Sequence, residues 1–312
     1  MEAALRIFLF GNIHLLAGEV PMPEFPTRKA KALFGFLVLS PDRLFARETL
    51  AGSFWPDASE DRARCSFNTD LWRIRQSFKQ ASLDPDRFLI SRAEGVGFNH
   101  ASPHWSDVRA FEAGMKSTPF PDAGSADDRV STAMAEAVAL YRGDLLDGIY
   151  DDWCLVRREA LRAQLLSALD FLLRHHMARS DWRRALEYGQ RLLAQEPLLE
   201  DAHRAVMRCH YLMGNRPAAL RQYAACAKLL RNELGIEPME ETKRLYGALL
   251  SVRPKLLPSR PAEHTESTRP APSDPKAVLE EVDLALANLY AAQDWLEDAS
   301  RQLKGKPLPR SR

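Results

Sequence analysis

Asp181-Trp182-Arg183-Arg184-Ala185-Leu186 lines up with Asn215-Arg216-Pro217-Ala218-Ala219-Leu220 at an offset of 34 residues. No other feature of the chain restricts its fold as tightly. A small side chain and a Leu return at the same two places, Ala185/Ala219 and Leu186/Leu220, where antiparallel helices close-pack. A period of this length holds one helix-turn-helix, whose apolar face only a stacked neighbour covers. Pro197 and Pro238 read as stop signals near the ends of the second helices, and a third, degenerate copy runs from Ala137 to Leu172. The spacing predicts a tetratricopeptide-like helical domain that extends to both sides of the two visible copies.

With 312 residues the chain has room for more than this one domain. Ahead of the repeats, Leu5 to Phe10 and Ile13 to Leu16 read as buried strands around a turn at Gly11-Asn12. Pro26 suits the first turn of a helix whose apolar positions are Leu33, Phe34, Leu37 and Val38 and which Pro41 stops. Arg47 to Trp55 forms a second helix, and a third runs from Ser59 to Gln80 with Glu60 and Asp61 in its first turn. Phe88 to Phe98 reads as a hairpin whose glycines supply the turn. From Trp105 to Val252 the pattern is helical almost throughout. The predicted fold is therefore an α+β winged helix-turn-helix (1–104) followed by an all-α helical repeat domain (105–253). A Pro-rich linker (254–275), an amphipathic helix (276–304) and a basic tail (305–312) complete the division. The helix carries an a/d seam of Leu279, Val282, Leu286, Leu289, Gln293, Leu296, Ser300 and Leu303. Such a seam serves equally as a dimerising coiled coil or as a helix docked on its own repeats.

The third helix carries the chemistry. Phe67, Leu71, Ile74 and Phe78 make one core stripe, so Arg62, Cys65, Thr69, Trp72, Arg73 and Gln76 point the opposite way, with Asn68 and Arg75 flanking. Between Arg62 and Lys79 stand five basic residues and one acid, although the whole chain has a net charge of only +1. Nucleic-acid contact must therefore come from a local patch. A helix of this kind fits a major groove, where Arg reads guanine, Asn reads adenine and further Arg or Lys holds phosphates. A solvated charged face is the competing reading of the same residues, and Trp72 either faces DNA or packs on the next domain. Arg92, near the hairpin tip, is placed to reach a minor groove or the backbone. Arg28, Lys29 and Lys31 either touch phosphate or are simply solvated.

Several runs resemble known families. Ala63-Arg64, Leu71-Trp72-Arg73-Ile74-Arg75 and Glu94-Gly95-Val96-Gly97-Phe98 resemble the OmpR-type winged helix. Ala139-Leu140-Tyr141-Arg142-Gly143-Asp144-Leu145-Leu146, Asp152-Trp153, Arg157-Arg158-Glu159-Ala160-Leu161-Arg162, Glu196 to Arg204 and Glu233 to Pro238 resemble the bacterial transcriptional activator domain. Together they are similar to the SARP-type regulators, the antibiotic-regulatory-protein family. The resemblance implies a sequence-specific DNA-binding transcriptional activator whose repeats serve oligomerisation or contact with RNA polymerase. It makes Asn68 and Arg73 base readers, puts Arg64, Trp72 and Arg75 within reach of phosphates, and gives Arg92 to the wing. With Arg62 and Thr69 on the same face, these eight residues form the expected DNA site. The chain departs from the family at Ala46, where a capping residue is usual, at Phe98 in place of a wing Tyr, and at Trp72.

Other chemistry has little support. The sequence holds no GxxxxGK[ST] loop and no phosphoacceptor receiver. His175-His176 and His203/His210 lack Cys or carboxylate at ligand spacing, and Asp151-Asp152 and Glu240-Glu241 diverge on a helix. No enzyme activity, metal or cofactor is expected. Scattered Cys65, Cys154, Cys209 and Cys226, without CxxC spacing, suit a reducing compartment. The apolar N-terminal run is broken by Asn12 and His14, so the expectation is a cytoplasmic protein that meets DNA and no membrane. A scaffold that has lost DNA binding is the alternative.

Overall fold

The computed structural model describes residues 5–41, 43–116 and 127–251. They fall into two compact units, one ending at Val206 and the other starting at Met207. The linker, the amphipathic helix 276–304 and the basic tail lie outside the described residues.

The first unit begins with β1 (Leu5–Phe8), β2 (His14–Ala17) and β3 (Val20–Pro21), consecutive antiparallel strands. Leu5 and Ile7 are buried on one face of β1, as a period of two requires. Helix α1 (Arg28–Val38) is capped by Thr27, whose hydroxyl accepts from the Ala30 amide at 3.0 Å. Pro26 precedes this cap and does not open the helix, because a proline side chain offers the orphan amides no acceptor. Helix α2 (Arg47–Phe54) starts at Ala46 with no side-chain cap, and helix α3 (Glu60–Gln80) starts at Ser59, whose hydroxyl makes no capping bond. Phe67, Leu71, Ile74 and Phe78 all point into the core, and Phe78 meets Phe34 at 5.9 Å between ring centres.

A single turn, α4 (Pro85–Phe88), leads into the hairpin of β4 (Leu89–Arg92) and β5 (Gly95–Phe98). The turn itself is Ala93-Glu94, so the glycines serve a different purpose from the one the sequence suggests. Phe45 and Val96 exchange backbone hydrogen bonds at 2.9 and 3.0 Å, which lays the segment before α2 across β5. A Cβ at Gly95 would lie 2.5 Å from the Phe45 carbonyl oxygen, and one at Gly97 2.7 Å from that of Arg43. Glycine is present because backbone approaches backbone there.

Residues 104–106, expected to be helical from Trp105 on, form strand β6 (His104–Ser106), parallel to β1. The sheet order is β3-β2-β1-β6. Trp105 packs edge-on against Phe8, a tertiary contact that helix periodicity does not encode. Helices α5 (Asp107–Lys116), α6 (Asp128–Leu140), α7 (Asp152–Ala178), α8 (Trp182–Gln195) and α9 (Glu200–Leu212) follow, then α10 (Arg216–Leu234) and α11 (Glu240–Ser251).

The strands and the first activator helices share one core. Buried Asp107 accepts from the amides of Leu9 (2.9 Å), Phe10 (3.0 Å) and Val108 (2.7 Å). Residues 9–11 also bond to the segment before α7: Gly11 N to Asp144 O and Leu146 N to Leu9 O, both 2.8 Å. Arg158 is buried beneath that segment and donates to the carbonyls of Leu145 and Ile149. An Arg at such depth is stable because its donors meet carbonyls that would otherwise be orphaned.

The 34-residue offset appears as a capping pattern. Asp181 accepts from Arg184 N at the start of α8, and Asn215 accepts from Ala218 N at the start of α10. Ala185 and Ala219 are fully buried. Pro197 and Pro238 follow the first helix of each pair, not the second as expected, because the break that proline imposes is the turn inside the repeat. In the second unit Met207, Ala219, Leu245 and Leu249 form the core, with Tyr223 stacked on Tyr246 at 3.9 Å.

Candidate nucleic-acid interface

Helix α3 turns away from the core a face on which Cys65, Asn68, Thr69 and Trp72 are all exposed, with Arg62 and Arg64 near its N-terminal end. At 100° per residue Cys65, Asn68, Thr69 and Trp72 fall within about 100° of arc. Trp72 is 59% exposed. An indole held open at the centre of a polar face offers a planar surface and one N–H donor, both suited to a sugar-phosphate edge. Arg62, Arg64 and Arg92 are exposed and make no ion pair with the described residues. The face therefore carries net positive charge.

Two of the expected arginines have protein partners. Arg73 reaches across one turn to Asp70 at 2.8 Å, and Asp70, only 4% exposed, also accepts from the Thr27 hydroxyl at 2.9 Å. Asp70 thus ties α3 to the start of α1, and Arg73 neutralises it. Arg75 pairs with Asp86 of α4 at 2.5 Å, on the flank away from Cys65 and Thr69. Arg47, which the sequence reading passed over, donates to the Ser91 hydroxyl of β4 at 2.6 Å and lies 3.5 Å from the Asn68 amide oxygen. One guanidinium therefore joins recognition helix and wing. Nothing in the local pattern around Arg47 signals this, since both partners are distant in sequence. Lys29 pairs with Asp151 and Lys31 with Glu24, each at 2.8 Å.

The remaining polar groups behave as core. His175 and His176 are buried, and His176 stacks on Tyr188. Burial lowers the proton affinity of His176 and His203, the latter 2.9 Å from the Pro197 carbonyl. No cluster of three His, Cys, Asp or Glu suited to a metal occurs among the described residues. No helix among them is long and apolar enough to cross a membrane. Cys154, Cys209 and Cys226 are buried thiols, whereas Cys65 is exposed on the α3 face.

Residues 106–250 match the family model of the bacterial transcriptional activator domain. Over the longer stretch, the chain is 23% identical to the transcriptional regulatory protein MoaR1 of Mycobacterium tuberculosis, covering 80% of this chain and 81% of that one. It is 25% identical to the regulatory protein AfsR of Streptomyces coelicolor over 86% of this chain and 27% of that one. Regulatory protein DnrI of Streptomyces peucetius is 24% identical over 73% and 85%. Among solved structures, Mycobacterium tuberculosis EmbR in complex with a low-affinity phosphopeptide superposes with a TM-score of 0.62 at 21% identity. The match covers 80% of this chain and 65% of EmbR, so the chain spans slightly under two thirds of that protein. The winged helix, the helical pairs and these relatives together support a DNA-binding transcriptional regulator, similar to those of the SARP type, with a winged-helix domain ahead of a bacterial transcriptional activator domain.

Proposed function

We propose that this regulator is a cytoplasmic activator that reads specific promoter sites with α3 in the major groove and the β4–β5 wing beside it, with no catalytic activity and no cofactor. The observation that carries this reading is the exposed face of α3, where Asn68, Thr69 and Trp72 stand among the exposed Arg62, Arg64 and, on the wing, Arg92. Asn68 reads a base edge, while Arg62, Arg64 and Arg92 hold phosphates. Arg73 stands at the edge of this face, positioned by Asp70, and serves as a second base reader once DNA competes for its guanidinium. Arg75 supports the backbone contact from its flank. The helical pairs recruit RNA polymerase or a second copy of the chain, with exposed Tyr150, Leu155 and Val156 as apolar anchors at the start of α7.

Genome-wide capture of DNA on the purified protein at two salt concentrations tests the reading. Discrete sites are expected, weakened by salt as phosphate contacts are screened. Asn68→Ala is expected to cost about 1–3 kcal/mol of specific binding and relax one base position, whereas Arg64→Ala lowers the salt slope by about one. Featureless capture, equal in wild type and both variants, would reject it in favour of a scaffold.

A further inference from the structure

We propose that the cleft between the end of α1 and helices α5 and α7 binds a small hydroxylated anion, a phosphate monoester or a hydroxy-carboxylate. The cleft holds about 480 Å³, within the range of small-molecule sites. Val38, Leu39 and Pro41 form one wall, and the side chains of Arg109, Lys116, Arg157 and Gln164 another. Among the described residues that line it, Glu112 is the only acid, and its carboxylate is held by Arg157. Among these described residues three cations stand against one carboxylate, an excess of positive charge.

Two lining atoms point to the occupant. The Nε of Arg157 and the amide oxygen of Gln164 are buried, and neither finds a hydrogen-bond partner among the described residues. Buried polar groups are normally partnered, and leaving one unpaired is unfavourable. An anionic oxygen satisfies the Arg157 N–H, with Arg109 and Lys116 adding charge. A hydroxyl on the same molecule donates to Gln164. The apolar wall accepts the carbon skeleton. This wall belongs to the winged domain and the cationic one to the activator helices, so an occupant braces the two against each other. A small-molecule signal can reach the regulator there.

Thermal unfolding of the full chain with inorganic phosphate, ribose 5-phosphate and citrate as probes tests the proposal without involving DNA, so its failure is distinguishable from failure of the promoter reading. A saturable rise in Tm with ribose 5-phosphate or citrate is expected, larger than with inorganic phosphate, and the better probe separates ester from carboxylate. Arg157→Gln should weaken the effect at least tenfold. Because Arg157 also holds Glu112, Gln164→Met and Lys116→Gln provide variants that leave this pair intact, and each should weaken binding severalfold. Flat titrations with all three probes, or a rise undiminished in Gln164→Met and Lys116→Gln, would overturn the proposal.

Discussion

Single residues divide here between those that hold the fold and those that face outward. Burial lowers the proton affinity of His104, His176, His203 and His210. Below the ordinary imidazole pKa of about 6.5, the unfolded chain therefore binds more protons than the folded one. Stability is fully present above that value and is lost as pH falls through it towards the depressed values. Urea unfolding should accordingly show a lower midpoint at pH 5 than at pH 7.5 with an unchanged slope, and equal midpoints would contradict the burial argument. The thiols make a second test. Burial raises the Cys154 pKa and pushes that of Cys209 up to about 11, while Cys65 stands exposed between Arg64 and Asn68. A maleimide should label Cys65 alone in the native protein and abolish DNA binding, with target DNA protecting the thiol. Labelling that leaves binding intact would move the contact face elsewhere on α3.

Among the elements, the wing depends most on what surrounds it. Gly95 adopts a φ of 152° and lies against the Phe45 carbonyl, so Gly95→Ala forces backbone against Cβ. The expected cost is roughly 1–3 kcal/mol in unfolding free energy, with a weaker grip on DNA as β4 shifts under Arg92. An unchanged midpoint would show that the segment before α2 is free to move. The hairpin was legible from Phe88 to Phe98 because its Gly and β-branched content is local. The role of its glycines was not, since it depends on a segment 50 residues earlier. The stripe of α3 was equally legible, because a period of 3.6 is written in one stretch of chain. The partners of Arg73 and Arg75 were not foreseen, although Asp70 stands three residues from Arg73 and the i, i+3 rule would have found it.

Across the whole molecule, the winged domain and the first activator helices share hydrogen bonds and core. Asp107 and the segment 144–147 satisfy the backbone of residues 9–11, and Phe10 packs on Phe111 and Tyr141. A fragment of residues 1–104 strips the cover from Leu9 and Phe10 and leaves those amides unpaired. It should unfold at much lower urea than residues 1–206, or aggregate, and a cooperative transition at equal urea would show that the strands stand alone. Domain size by sequence alone suggested a boundary near residue 104, because the strand and helix patterns change there.

Local information in the sequence was enough to determine the winged helix, the helical pairs and the exposed face of α3. Periods of 2, 3.6 and 34 residues are properties of neighbouring positions and survive without a partner. Tertiary structure alone decided that β6 is a strand, that Arg47 links wing to recognition helix, and that Arg158 is buried under a loop. Each of these depends on groups far apart in the chain that are brought within hydrogen-bond reach only when the core closes.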